Sequence, residues 1–94
     1  VGRQLRERLD QLCHELGVEY HGVRFRMTGQ RLLIEVHLLF PHEVAVGEAH
    51  RIATVIEERL PQSLEIPAEV LTHLESLEDH EDVHKEEHYT GRPS

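Results

Sequence analysis

The apolar residues of this chain are spaced as in a helix, then as in strands, then as in a helix again, and last as in a strand, all before residue 76. Val1, Leu5, Leu9, Leu12, Cys13 and Leu16 recur three or four apart, and Gly17 follows where a helix would stop. Val23, Phe25 and Met27 then alternate with Gly22, Arg24 and Arg26, which is the period of a strand. After the short turn Thr28-Gly29-Gln30, Leu32, Ile34, Val36, Leu38 and Phe40 point one way. Arg31, Leu33, Glu35, His37 and Leu39 point the other, so the two runs predict a β-hairpin. Pro41 ends the second strand. From about Val44 to Leu60 the helical period returns, with Val46, Ala49, Ile52, Ala53, Ile56 and Leu60 on the inner face and Pro61 as its close. Past Pro67, Val70, Thr72 and Leu74 alternate with Leu71, His73 and Glu75.

The order α-β-β-α-β predicts one small α+β domain, a two-layer sandwich with a three-stranded sheet and two helices on one face. We place that domain at residues 1–75. From Ser76 to Ser94 there are six acids, two bases and three histidines with few apolar side chains, so 76–94 reads as an acidic, His-rich flexible tail. On the sheet face away from the helices, Leu33 and Leu39 flank His37, which is more apolar than a solvated face should be. That face is expected to meet a second copy of the chain.

The formal charge is -8 with histidines neutral, which excludes nucleic acid and anionic lipid as general partners and suits divalent cations. Cys13 is the single cysteine, so no intrachain disulfide can form, and a reducing compartment fits. No apolar run approaches the roughly 18 residues that span a bilayer. The chain starts at Val1, already at helical spacing, so a fragment of a longer protein is expected.

Nine of the 94 residues are histidine, set among eighteen carboxylates. Neutral imidazole is the commonest protein ligand for transition metals, and a carboxylate completes a site for zinc. His37 and His73 share the helix-free side of their strands, and His73 with Glu75 makes an H-x-E pair on one strand face. His21 lies near the start of the first strand, and His50 flanks the apolar stripe of the second helix. Taken singly, each reads as an ordinary surface or flanking residue. Together, in separate elements with acids nearby, they read as a ligand set. His14 reads as a helix-end residue favoured by the dipole, and His42 as a loop residue. In the tail, His80, His84 and His88 lie four apart and are candidate auxiliary ligands. His80-Glu81-Asp82-Val83-His84 matches H-E-x-x-H, but a catalytic version needs a packed helix, a third ligand and a cleft. No nucleophile paired with a base stands out, so no enzyme is expected.

The stretch Tyr20 to Glu75 resembles the C-terminal cytoplasmic domain of cation diffusion facilitator (CDF) zinc transporters. The landmarks are His21-Gly22-Val23-Arg24-Phe25-Arg26, Gly29 in its turn, Ile34-Glu35-Val36-His37-Leu38, Val46-Gly47-Glu48-Ala49-His50-Arg51-Ile52-Ala53 and Thr72-His73-Leu74-Glu75. The Arg-rich, Lys-poor makeup suggests a bacterial member of the CzrB type. The resemblance implies a ferredoxin-like fold, as in copper metallochaperones, and a homodimer with zinc near its interface. It implies metal ligands at His21, His37, His50, His73 and Glu75. The family's usual last ligand is Asp, so Glu75 leaves bridging of two ions open. Cadmium, cobalt or nickel would suit the same donors. It further implies a partner in the membrane domain of the same parent chain, a place at the cytoplasmic face of the cell membrane, and a role in proton-coupled efflux in which zinc closes the dimer. The alternative is a free-standing zinc metallochaperone or metal buffer.

Overall fold

The structure, a computed structural model, describes residues 2–77. Five elements follow one another in the expected order: α1 (Gly2–Leu16), β1 (Glu19–Thr28), β2 (Arg31–Phe40), α2 (Val46–Gln62) and β3 (Ala68–Ser76). The fold is the expected α+β arrangement of two helices and a three-stranded sheet. The expected tail begins inside β3 at Ser76, and residues 78–94, with His80, His84 and His88, lie outside the described residues.

β2 is the middle strand. It pairs antiparallel with β1 and parallel with β3. A parallel pair needs a crossover connection, and α2 supplies it between β2 and β3. Leu32, Ile34, Val36 and Leu38, the even-numbered face of β2, are buried against Leu5, Leu9, Leu12 and Cys13 of α1 and Ile52, Ala53, Ile56 and Leu60 of α2. No polar or charged residue is buried among the described residues. The core is therefore held by apolar burial, and the polar chemistry lies outside it.

Three details depart from the periodicity. Val46 was expected on the inner face of α2, yet it is 73% exposed, as the first residue of the helix and on the lining of an open groove with Phe40 and Leu74. Pro61 was expected to close α2 but lies within its last turn, where it forgoes the single bond to the carbonyl four residues back. The helix stops two residues later at Ser63, whose hydroxyl donates to the Leu60 carbonyl at 2.7 Å. Phe25 and Met27 alternate correctly but are 40% and 52% exposed, since β1 is an edge strand that the helices cover only in part.

α1 and α2 are clasped at one end by Arg59, which donates to the Glu15 carboxylate at 2.9 Å. β1 is fastened to α1 by Tyr20, whose hydroxyl donates to Asp10. Burial, and then the charge of Asp10, push the Cys13 thiol up to about 11. Burial, and then the bond to Asp10, push the Tyr20 hydroxyl up to about 12. Both groups are neutral in the native state and ionise sooner in the unfolded chain. Stability is thus full below the ordinary thiol value of 9.0 and falls as pH rises towards about 11. Thermal melts across that range should show the fall, and Cys13→Ala should make it shallower. A wild-type melting temperature that stays level up to pH 11 would exclude this linkage.

Candidate metal centre

The pairing register decides which polar residues meet. His21 on β1 lies opposite His37 on β2, and His37 lies opposite His73 on β3. Three imidazoles therefore form a row across the sheet. The rings of His21 and His37 meet edge to face with centroids 5.7 Å apart. Those of His37 and His73 stack at 4.8 Å. Glu75 stands two residues beyond His73 on the same face of β3 and contacts His37 Nδ1 through its carboxylate. The His37 and Glu75 side chains are 30% and 31% exposed, so the group is open to solvent and to a second chain.

A ligand atom each from His21, His37 and Glu75 lies within 4.8 Å of the others. Donors on one tetrahedral zinc sit roughly 3.3 Å apart, given bonds of about 2.0–2.1 Å, so side-chain rotation of about an ångström would close the group on an ion. The donor set, two imidazoles and a carboxylate, is chemically suited to zinc and leaves a fourth position open. His37 is the pivot. Its Nδ1 faces Glu75, an arrangement that fixes the ring and leaves Nε2 to a metal, or lets Glu75 bind the metal itself.

Of the five residues expected as ligands, His21, His37 and Glu75 converge and His73 stacks against them. His50 does not join this group. It is exposed on α2 and shares with Glu75 the rim of a separate open groove of about 300 Å³, also lined by Phe40, His42 and Leu74. Leu39, expected as part of an exposed apolar face, is buried, so the open apolar residues on that side are Leu33, half-buried, and Leu71, 53% exposed.

Gly22 is the residue that sequence reasoning passed over. Val23 pairs with Val36, but His21 pairs with His37, so the register shifts by one residue at Gly22. Its φ is +66°, the left-handed region open to glycine. Without this bulge, alternation from Val23 would turn His21 towards the helices. With it, His21 joins the histidine row and Tyr20 turns towards Asp10. The available signal was a glycine inside a strand pattern, a common mark of a bulge. A side chain there meets nothing within 4 Å, so the penalty of substitution is conformational rather than steric. Gly22→Val should cost about 1–2 kcal/mol and weaken the His21–His37 ring contact. Gly22→Asn should retain most of both, because asparagine tolerates this conformation. Urea unfolding and ring-to-ring nuclear Overhauser effects measure the two; an unaltered contact in Gly22→Val would show that the bulge does not place His21.

A search of curated protein sequences finds no match. Among solved structures, the candidate zinc transporter CzrB is 27% identical, with a TM-score of 0.70 over 79% of this chain and 89% of its own. Its zinc form is 26% identical, with a TM-score of 0.73 over 82% and 85%. The metal-bound C-terminal domain of the CzcD transporter from Thermotoga maritima, 21% identical, shares the fold with a TM-score of 0.69 over 78% and 87%. No described helix is long and apolar enough to cross a membrane. The family described as "Cation efflux protein, cytoplasmic domain" matches residues 3–77, from the first turn of α1 to the end of β3. The chain belongs to that family, as the cytoplasmic domain of a transport protein and not as an enzyme.

Proposed function

We propose that this domain senses zinc on the cytoplasmic side of an efflux transporter and converts zinc binding into closure of a homodimer. The observation that carries the reading is the convergence of His21, His37 and Glu75 on the helix-free face of the sheet. The likeness to a zinc form of CzrB supports the choice of metal. His73, stacked on His37, and His50, across the groove from Glu75, are further donors for a second ion or for the fourth position of the first.

The charge gives closure its direction. Each chain carries eight more acids than bases, so two apposed chains repel one another until cations neutralise the face between them. Leu33 and Leu71 offer apolar area on that face. Zinc that binds the closed dimer better than the open one shifts the population by that difference in affinity alone. At a concentration of 100 times the dissociation constant, the shift is about 2.7 kcal/mol. Drawing two cytoplasmic domains together would pull on the membrane helices of the parent chains, which couples the cytosolic metal level to efflux. A half-exposed site suits such a sensor, since the ion must come and go.

The experiment is a zinc titration of the chain followed by calorimetry and small-angle scattering. The expected result is at least one ion per chain, with a smaller radius of gyration at saturation. His37→Ala combined with His73→Ala should lower the stoichiometry and abolish the compaction. If the double variant binds as many ions and compacts as far as the wild type, the ligand assignment is wrong.

A further inference from the structure

The helix-free face of the sheet has two halves. The histidine row and Glu75 occupy the half at the C-terminal ends of β2 and β3. The other half, towards the β1–β2 turn, is cationic. Arg24 lies opposite Glu35 and Arg26 opposite Leu33 on the same face. With Phe25, Leu33 and Glu35 they line an open groove of about 410 Å³. Arg31, at the end of this half, is already taken by Glu69 at 3.2 Å. Arg24 and Arg26 make no ion pair among the described residues. Two guanidinium groups side by side, unpaired among the described residues, are conspicuous on a chain with so large an acidic excess.

We infer that this groove is the docking site for the chain's own acidic segment after β3, carried by Glu81, Asp82, Glu86 and Glu87. Charge complementarity is the first argument. Residues 78–94 hold six carboxylates against Lys85 and Arg92, and guanidinium pairs carboxylates in a planar, two-bonded fashion. Reach is the second. β3 ends at Ser76 beside Phe40, and Glu35, at the groove, is five residues back along β2. At about 3.3 Å per strand residue that is roughly 17 Å, well within the span of the segment that follows. Tethering is the third. A segment joined to the same domain acts at an effective concentration near millimolar, so weak exposed pairs suffice. A membrane surface fits less well, because polybasic recognition of anionic lipid uses about 4–8 cations, and this groove offers two with Glu35 between them.

Docked there, the segment lies along the face through which a second copy would approach and next to the histidine row. Its release would free Leu33. The docking does not use the histidine row, so it stands or fails separately from zinc binding.

The test uses the full chain and nuclear magnetic resonance. Glu81→Gln, Asp82→Asn, Glu86→Gln and Glu87→Gln together should move the side-chain Nε–H signals of Arg24 and Arg26 and the amide signal of Leu33. Raising salt from about 0.05 to 0.5 M should move the same signals in the wild type at least about twofold more than in the neutralised variant, because exposed pairs are screened at that strength. Arg24→Gln with Arg26→Gln should in turn move the signals of residues 81–87. Changes confined to the neighbours of Ser76 would overturn the proposal. So would changes that fade on dilution, which would assign the groove to a second copy. Pelleting with phosphatidylserine vesicles that depends on Arg24 and Arg26 but not on the tail acids would overturn it in favour of a membrane.

Discussion

β2 is hydrogen-bonded on both sides, to β1 in one sense and to β3 in the other, and that double pairing sets every distance the candidate site depends on. Its even-numbered residues are committed to the core, and a slip of one residue would expose them. The odd-numbered residues are fixed by the same constraint. His37 therefore cannot drift relative to His73, because Val36 and Leu38 on either side of it are fully buried. A core held only by apolar burial positions polar side chains that it does not contain. This suits a binding site on a domain too small to spare buried volume for polar groups.

How much of this was legible in the sequence depended on whether each element kept its period. β2 and β3 alternate without interruption, so the common face of His37 and His73 followed from parity, and the order of the five elements followed from the changes of spacing. The inner stripes of α1 and α2 were readable for the same reason. The failures sit where a local feature breaks the period or where an element outruns its neighbours. His21 and Val23 share parity, yet the bulge at Gly22 puts them on opposite faces. Val46 and Met27 keep the period of buried residues but stand at or near the ends of their elements and stay exposed. Burial of Leu39 is also invisible to parity, since it lies on the face without helices and outside the main core cluster. His50 is a ligand in the pattern that the resemblance implied, but a pattern of residue types carries no distances, and α2 places it on the lining of a groove that Glu75 shares.

The helix-free face is also where opposite charges are sorted. At one end stand imidazoles and Glu75; at the other, Arg24 and Arg26 with the Arg31–Glu69 pair. That surface pair, with both side chains more than half exposed, contributes little to stability. Its larger effect is to occupy Arg31 and leave the other two arginines as the available cations. A cation approaching the face would be favoured at the histidine end, where Glu75 stands and fixed positive charge is absent.

The least buried strand of the domain is β1, and the candidate site is built across it. Phe25 and Met27 face the helix side but leave much of their surface in water, and of this strand Tyr20 and Val23 pack against the core cluster. An ion held by His21, His37 and Glu75 would link all three strands with bonds that do not depend on apolar packing. It would thus add stability to β1, the strand in which no residue is fully buried. Binding energy spent on ordering an edge strand is energy subtracted from affinity, so such a site binds less tightly than a prebuilt cage. Looser binding is a liability in a structural metal site. In a sensor of the kind proposed it is the condition for working, because an ion that never leaves carries no information.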